Sequence, residues 1–168
     1  NIEFASIIGS ATVNGGAGNN YVTDDDSSQF ISLGVGDDIL FAGAGNDTVG
    51  SGGGDDDLYG EDGNDYVFGG IGNDTVNGGA GNDHLAGNEG DDVLFGGTGR
   101  DYGSFGLVYS SDAAGVSRNG GTIAVEGTDT INDVEILVFS DRKTVITTDS
   151  TSDAASFNEA QYLAQNAD

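Results

Sequence analysis

The chain has 168 residues, of which 31 are Gly and none is Pro, Cys, Met or Trp, and its 29 Asp and Glu against 4 Lys and Arg give a formal charge of −25. Such a field repels nucleic acid and anionic membrane surfaces, and the lack of Cys excludes disulfides, cysteine–zinc sites, iron–sulfur ligation and thiol catalysis. A single histidine, His84, is too few for a zinc hydrolase, and no apolar run approaches the ~20 residues of a membrane helix.

High charge with abundant glycine would ordinarily mean disorder, but an internal period overrules that reading. Residues 1–14 open with NIEFASII, a strand pattern, and carry a weak repeat register through Gly9 and Val13; they are expected to form an N-terminal cap strand. No charged-then-apolar leader opens the chain, and a start inside a strand is expected of a fragment of something longer.

From Gly15 to Ser104 the period is nine, without insertion, over ten units from GGAGNNYVT to GGTGRDYGS. Position 8 is apolar in nine units (Val22, Ile31, Leu40, Val49, Leu58, Val67, Val76, Leu85 and Leu94), and Gly103 breaks the row. Position 6 is Asp in the last eight: Asp38, Asp47, Asp56, Asp65, Asp74, Asp83, Asp92 and Asp101, with Asn20 and Gln29 in the first two units. Position 4 is Gly except for Ser27. One apolar residue in nine cannot make a helical face, and each glycine would cost a helix ~1 kcal/mol. The pattern predicts instead a three-residue strand centred on an inward position 8, with positions 1 to 6 as the turn. Stacking such units around a shared interior gives an all-β solenoid.

These units resemble the GGxGxDxUx nonapeptide of the repeats-in-toxin (RTX) family of hemolysin-type calcium-binding repeats. The resemblance implies a right-handed parallel β-roll with two nonapeptides per turn, so that units two apart stack. It implies Ca²⁺ held between stacked loops by the position-6 carboxylates and by loop carbonyls, here those of Gly34, Gly36, Gly43, Gly45, Gly52, Gly54, Gly63, Gly70, Gly72, Gly79, Gly81 and Gly90. It also implies type I secretion and an extracellular or cell-surface location.

Spacing gives an independent check on the metal. Carboxylates on adjacent rungs lie about 4.7–4.9 Å apart, and two oxygens on opposite sides of one Ca²⁺ lie about 4.6–5.2 Å apart. Pairing along the two edges gives six complete sites, 38/56, 56/74 and 74/92 on one and 47/65, 65/83 and 83/101 on the other, with Asn20 and Gln29 offering two weaker ones. Residues 33–104 carry 15 acidic and one basic side chain, net −14, so six divalent ions bring the segment close to neutrality. Without ions, stacked like charges should prevent a stable roll. Mg²⁺ fits less well because it keeps its waters and demands tighter geometry. Position 5, mostly Asp or Asn, is expected to stabilise turns rather than ligate, and the second unit, with Asp24 to Asp26, departs from the pattern enough to put its metal site in doubt.

His84 falls at an outward position and reads as a surface imidazole; without a second base, no nucleophilic triad can be assembled and no enzyme is expected. The Gly-x-Gly strings lack the Lys of a phosphate loop. Outward Ile39, Phe41, Tyr59, Val93 and Phe95 form an apolar cluster that the C-terminal region is expected to cover, and the exposed aromatics are compatible with cell-surface or self-association contacts. A single Thr98 at position 3 is too few for an ice-binding row.

After Ser104 glycine falls and β-branched residues rise. Residues 105–148 read as a β-rich C-terminal cap with strands in FGLVYSS, GTIAVEG and DVEILVFSD and a hairpin turn at Asn119-Gly120-Gly121; residues 127–141 resemble the cap that follows such arrays in secreted bacterial proteins. Residues 149–168 read as a linker and a short helix with a capping box of Ser156 and Glu159. The function expected is a calcium-binding structural module of a larger secreted or cell-surface protein that folds on binding Ca²⁺. An accessory domain of a secreted protease, lipase or polysaccharide-modifying enzyme is the alternative.

Overall fold

The recurring position-8 side chains are the only regular apolar series, and the chain buries all nine, none more than 2% exposed. In the computed structural model this burial is achieved by parallel strands stacked into a solenoid. Residues 3–6, 8–9 and 12–105 are described, together with five short strands beyond them.

One sheet takes β1 (Glu3–Ser6), β3 (Asn20–Thr23), β5 (Ile39–Phe41), β7 (Asp57–Asp62), β9 (Thr75–Gly81) and β11 (Val93–Gly99). The other takes β2 (Thr12–Ala17), β4 (Phe30–Val35), β6 (Thr48–Gly53), β8 (Tyr66–Ile71), β10 (His84–Glu89) and β12 (Tyr102–Phe105). Consecutive strands alternate between sheets, so a full turn is two nonapeptides and Leu40 pairs with Leu58, Val49 with Val67. The fold is the solenoid that the repeat pattern predicts, in the form of the parallel β-roll that the family resemblance implies.

The strands are longer than the three residues expected. Among the strands of the roll only β5 has that length; β4, β6, β7, β8 and β10 run for six residues and β9 and β11 for seven. The cause lies at position 1, which turns inward beside position 8. Leu33, Ala42 and Ser51 are buried there, and in later units glycine occupies it. With position 1 packed inward, most strands run on past position 9, through Leu33 in β4 and Ser51 in β6, and there the reversal is confined to positions 4 to 6; β5 stops before Ala42. Position 2 lies in the left-handed region in every unit but the second, where Asp25 stands; glycine tolerates that region best, and Glu61 (φ 74°) and Asn88 (φ 79°) adopt it without that freedom.

At the C-terminal end, β15 (Asp129–Asn132) pairs parallel with β11 and β16 (Ile136–Phe139) parallel with β12. Antiparallel β14 (Thr122–Val125), β13 (Ser117–Asn119) and β17 (Thr144–Ile146) follow outward. Asn119 pairs with Thr122, the hairpin expected at that point. These strands prolong both sheets end-on rather than lying across the cluster of Ile39 and Phe41, because the open strand edge presents unpaired backbone groups that pairing satisfies. The helix expected after Ser156 lies outside the described residues.

Candidate metal centre

The turn at positions 4 to 6 brings every position-6 side chain back over the roll. All eight aspartates, Asp38 through Asp101, are buried at 1% exposure or less, as are Asn20 and Gln29 at 5%. They stack in two columns, one on each edge, in the pairs that the nonapeptide spacing predicts.

Within each column the two carboxylate oxygens have different surroundings. Oδ1 accepts the peptide N–H of the position-6 residue one turn earlier: Asp38 donates to Asp56 at 2.7 Å, Asp47 to Asp65 at 2.8 Å, and Asp56 to Asp74 and Asp65 to Asp83 at 2.9 Å. Asp74 and Asp83 donate likewise to Asp92 and Asp101, and Asn20 and Gln29 to Asp38 and Asp47. The second oxygen, Oδ2, of Asp38, Asp47, Asp65, Asp74 and Asp83 is buried without a hydrogen-bond partner. Asp56 Oδ2 is likewise buried without a hydrogen-bond partner, and the Ser51 hydroxyl donates to the Gly69 carbonyl.

A buried, unpaired carboxylate oxygen is costly unless a proton or a cation sits on it. Burial therefore pushes Asp74 up to about 7 and Asp65 and Asp83 up to about 6, against the N–H bonds that hold the charge and with added repulsion from stacked neighbours. Asp47 and Asp56 are raised for the same reason.

The space around Oδ2 is made by position 1. A Cβ on Gly60 would lie 2.5 Å from Asp65 Oδ2 and 2.6 Å from the Gly78 carbonyl oxygen, and Gly69, Gly78 and Gly87 stand under Asp74, Asp83 and Asp92 in the same way. Loop carbonyls line the gap between rungs. A Cβ on Gly36 or Gly45 would lie 2.8 Å from the carbonyl oxygen of Gly18 or Ser27, and one on Gly70 would lie 2.5 Å from that of Gly52. The carbonyls of Gly34, Gly36, Gly45, Gly54, Gly63, Gly72, Gly79 and Gly81 face the next rung similarly, while that of Gly43 accepts the Asp62 N–H at 3.0 Å. The Glu61 carbonyl joins this series, although its side chain hides it from a search for glycine; its position in the register is the signal.

The two weaker candidates differ. Asn20 turns Nδ2 toward the Gly18 carbonyl at 2.7 Å and Asp38 Oδ1 at 3.0 Å, whereas Gln29 keeps Oε1 buried and unpartnered. Position 5 forms an outer ladder: Asp55 donates its N–H to Asp37 Oδ1 at 3.1 Å, Asn73 to Asp55 at 2.8 Å and Asn64 to Asn46 at 2.7 Å. These exposed side chains stitch turn to turn, as expected of that position. His84 lies half-buried between Tyr66 and Tyr102, with ring centroids 4.7 and 4.6 Å away, its ring stacked in an aromatic row on the outer face of the sheet. Among the described residues, no three Asp, Glu, His or Cys side chains converge on one point.

A parallel β-solenoid of nonapeptides with a column of buried carboxylates along each edge is a structural repeat protein, not a catalytic scaffold. The family model for the RTX calcium-binding nonapeptide repeat (4 copies) matches residues 14–49, 23–58, 32–67, 51–76 and 68–102, and the chain belongs to that family. Its repeats bind Ca²⁺, which makes this chain a calcium-binding structural module. Among curated proteins, no relative matches it.

Proposed function

We propose that Ca²⁺ sits between successive turns of the roll, held by paired position-6 carboxylates and completed by loop carbonyls. The observation that carries this reading is the buried Oδ2 atoms of Asp38, Asp47, Asp65, Asp74 and Asp83, which lack partners in the two columns and at Asp65, Asp74 and Asp83 stand over Gly60, Gly69 and Gly78. Two side chains per site leave most of a six- to eight-oxygen shell to backbone, which the carbonyls of positions 2 and 4 can supply. On this reading the pairs 38/56, 56/74, 74/92, 47/65, 65/83 and 83/101 are six full sites, and Asp38 with Asn20 and Asp47 with Gln29 are weaker ones.

Binding and folding are then one event. Emptied, each column sets buried carboxylates against one another; loaded, the ions cross-link consecutive turns. A module of this kind stays unfolded at the low calcium of a cytoplasm and folds at the millimolar calcium outside the cell. The RTX family is typical of secreted bacterial proteins, and export through a type I system of a chain that folds only outside suits an acidic, Cys-free sequence. Among the described residues, no helix is long and apolar enough to cross a membrane. Equilibrium dialysis against ⁴⁵Ca, paired with circular dichroism, tests the reading. At pH 8, where the columns are ionised, six ions per chain bound together with the appearance of strand signal are expected; full strand structure at that pH after exhaustive chelation, or fewer than two ions bound, overturns it.

A further inference from the structure

We propose that the face of the sheet formed by β2, β4, β6, β8 and β10 is a self-association surface on which a second copy of this chain docks face to face. In a molecule with a formal charge of −25, these five strands of six residues each contain one carboxylate, Glu89, and no Lys or Arg. The opposite sheet carries Asp57, Glu61 and Asp62 on β7 alone. Two copies repel wherever their carboxylates meet, so an uncharged face is where they can approach.

That face is also where apolar side chains are left outside. Phe30 (53% exposed) and Val35 (58%) stand on β4, and Tyr66 (47%), Phe68 (39%) and Ile71 (61%) on β8. Between these ridges runs β6, whose outward positions are Thr48, Gly50, Gly52 and Gly53. Nothing lies within 4 Å of a Cβ built on Gly50, so its surface is open. Beyond β8, Ala86 on β10 is small and buried.

The relief is complementary to itself. A two-fold axis lying in the interface along the strands, between β6 and β8, reverses the order of turns and keeps the position along each strand. It sets Phe68 over Gly50 of the second copy, Ile71 over Gly53 and Tyr66 over Thr48, each reciprocated, and carries Phe30 to His84 on the next strands out. Ridge meets groove between β6 and β8, while on the next strands out Phe30 meets the His84 ring and Val35 meets Glu89, the one carboxylate of the face, and the interface closes as a dimer rather than a fibre. The four strands that the axis exchanges in pairs, β4, β6, β8 and β10, at ~4.8 Å spacing with six residues at ~3.3 Å, give a footprint of roughly 400 Å² per copy, below the standard size for specific interfaces. The dimer is therefore weak, and calcium and salt favour it by reducing repulsion between the acidic edges. This inference rests on the calcium reading only for that neutralisation.

Sedimentation equilibrium in millimolar calcium, from tens to hundreds of micromolar protein, tests it, with circular dichroism on the same samples reporting whether the roll has formed. A monomer–dimer equilibrium that shifts toward dimer with added salt is expected. Gly50→Glu, whose side chain meets open space, should retain the roll and weaken the dimer at least tenfold, whereas Asn77→Glu on the opposite sheet should leave it unchanged. If the roll forms without calcium, which sinks the calcium reading, the same comparison is made without it. A folded chain that stays monomeric throughout, whatever sugar or lipid it then binds, or a dimer indifferent to Gly50→Glu, overturns the inference.

Discussion

Stripped of calcium, the roll should be most stable in mild acid and lose stability as pH rises, and the sign follows from burial. Asp65, Asp74 and Asp83 are raised from the usual 3.8 to about 6, 7 and 6, so the folded chain binds more protons than the unfolded one between those values. Near pH 5 the excess approaches three protons, a slope of about −4 kcal/mol per pH unit at ~1.4 kcal/mol for each. Through pH 7 the accumulated loss is on the order of 10 kcal/mol, comparable with the whole stability of an ordinary domain. Asp47 and Asp56 act in the same direction. His84, lowered by burial, opposes them as pH rises through 6.5, and Asp25, lowered chiefly by the Gly9 N–H, opposes them near 3.8. Calcium reverses the trend because it needs the deprotonated oxygens. Urea unfolding followed by circular dichroism in metal-free buffer, from about pH 4.7 to pH 8, should show the midpoint falling with pH, and the same series in millimolar calcium should show it rising. A metal-free midpoint that is flat or rises with pH would refute the reasoning.

Other perturbations separate the parts of the roll. Gly60→Ala places a methyl group against Asp65 Oδ2 and the Gly78 carbonyl, and should weaken calcium at the sites that share Asp65 by tenfold or more in titration calorimetry while leaving the remaining sites titratable. Glu61→Gly relieves a left-handed backbone and should raise the urea midpoint in calcium by an amount worth about 0.5–1 kcal/mol; Asn88→Gly should gain less, since Asn tolerates that conformation. Leu58→Ala, at the fully buried centre of β7, should cost about 2–5 kcal/mol by the same measurement. Asn64→Ala removes the exposed acceptor for the Asn82 N–H and side-chain amide and the donor to Asn46 Oδ1, all in solvent, and should cost about 1 kcal/mol.

The nine-residue period carried most of the architecture because alternate units bury Val22 through Leu94 in two facing rows, one from each sheet, and return an aspartate to the same edge every 18 residues. It did not carry the length of the strands. Position 1 reads as turn glycine in sequence, yet Leu33, Ala42 and Ser51 reveal it as a second interior position, and that is decided by how the two sheets close on each other. The end-on attachment of β15 and β16 was equally out of reach, since strand edges exist only once the roll is stacked.

At the candidate site the division is sharper. Sequence alone determined which side chains stand in the two columns, because residue type and phase are local properties of the repeat. Only the tertiary structure decided that one oxygen of each carboxylate is taken by a peptide N–H from the neighbouring turn and that the other, at Asp38, Asp47, Asp65, Asp74 and Asp83, is sealed in without a partner. Hydrogen bonding and burial depend on what lies a full turn away, and distance along the chain says nothing of that until the coil is wound.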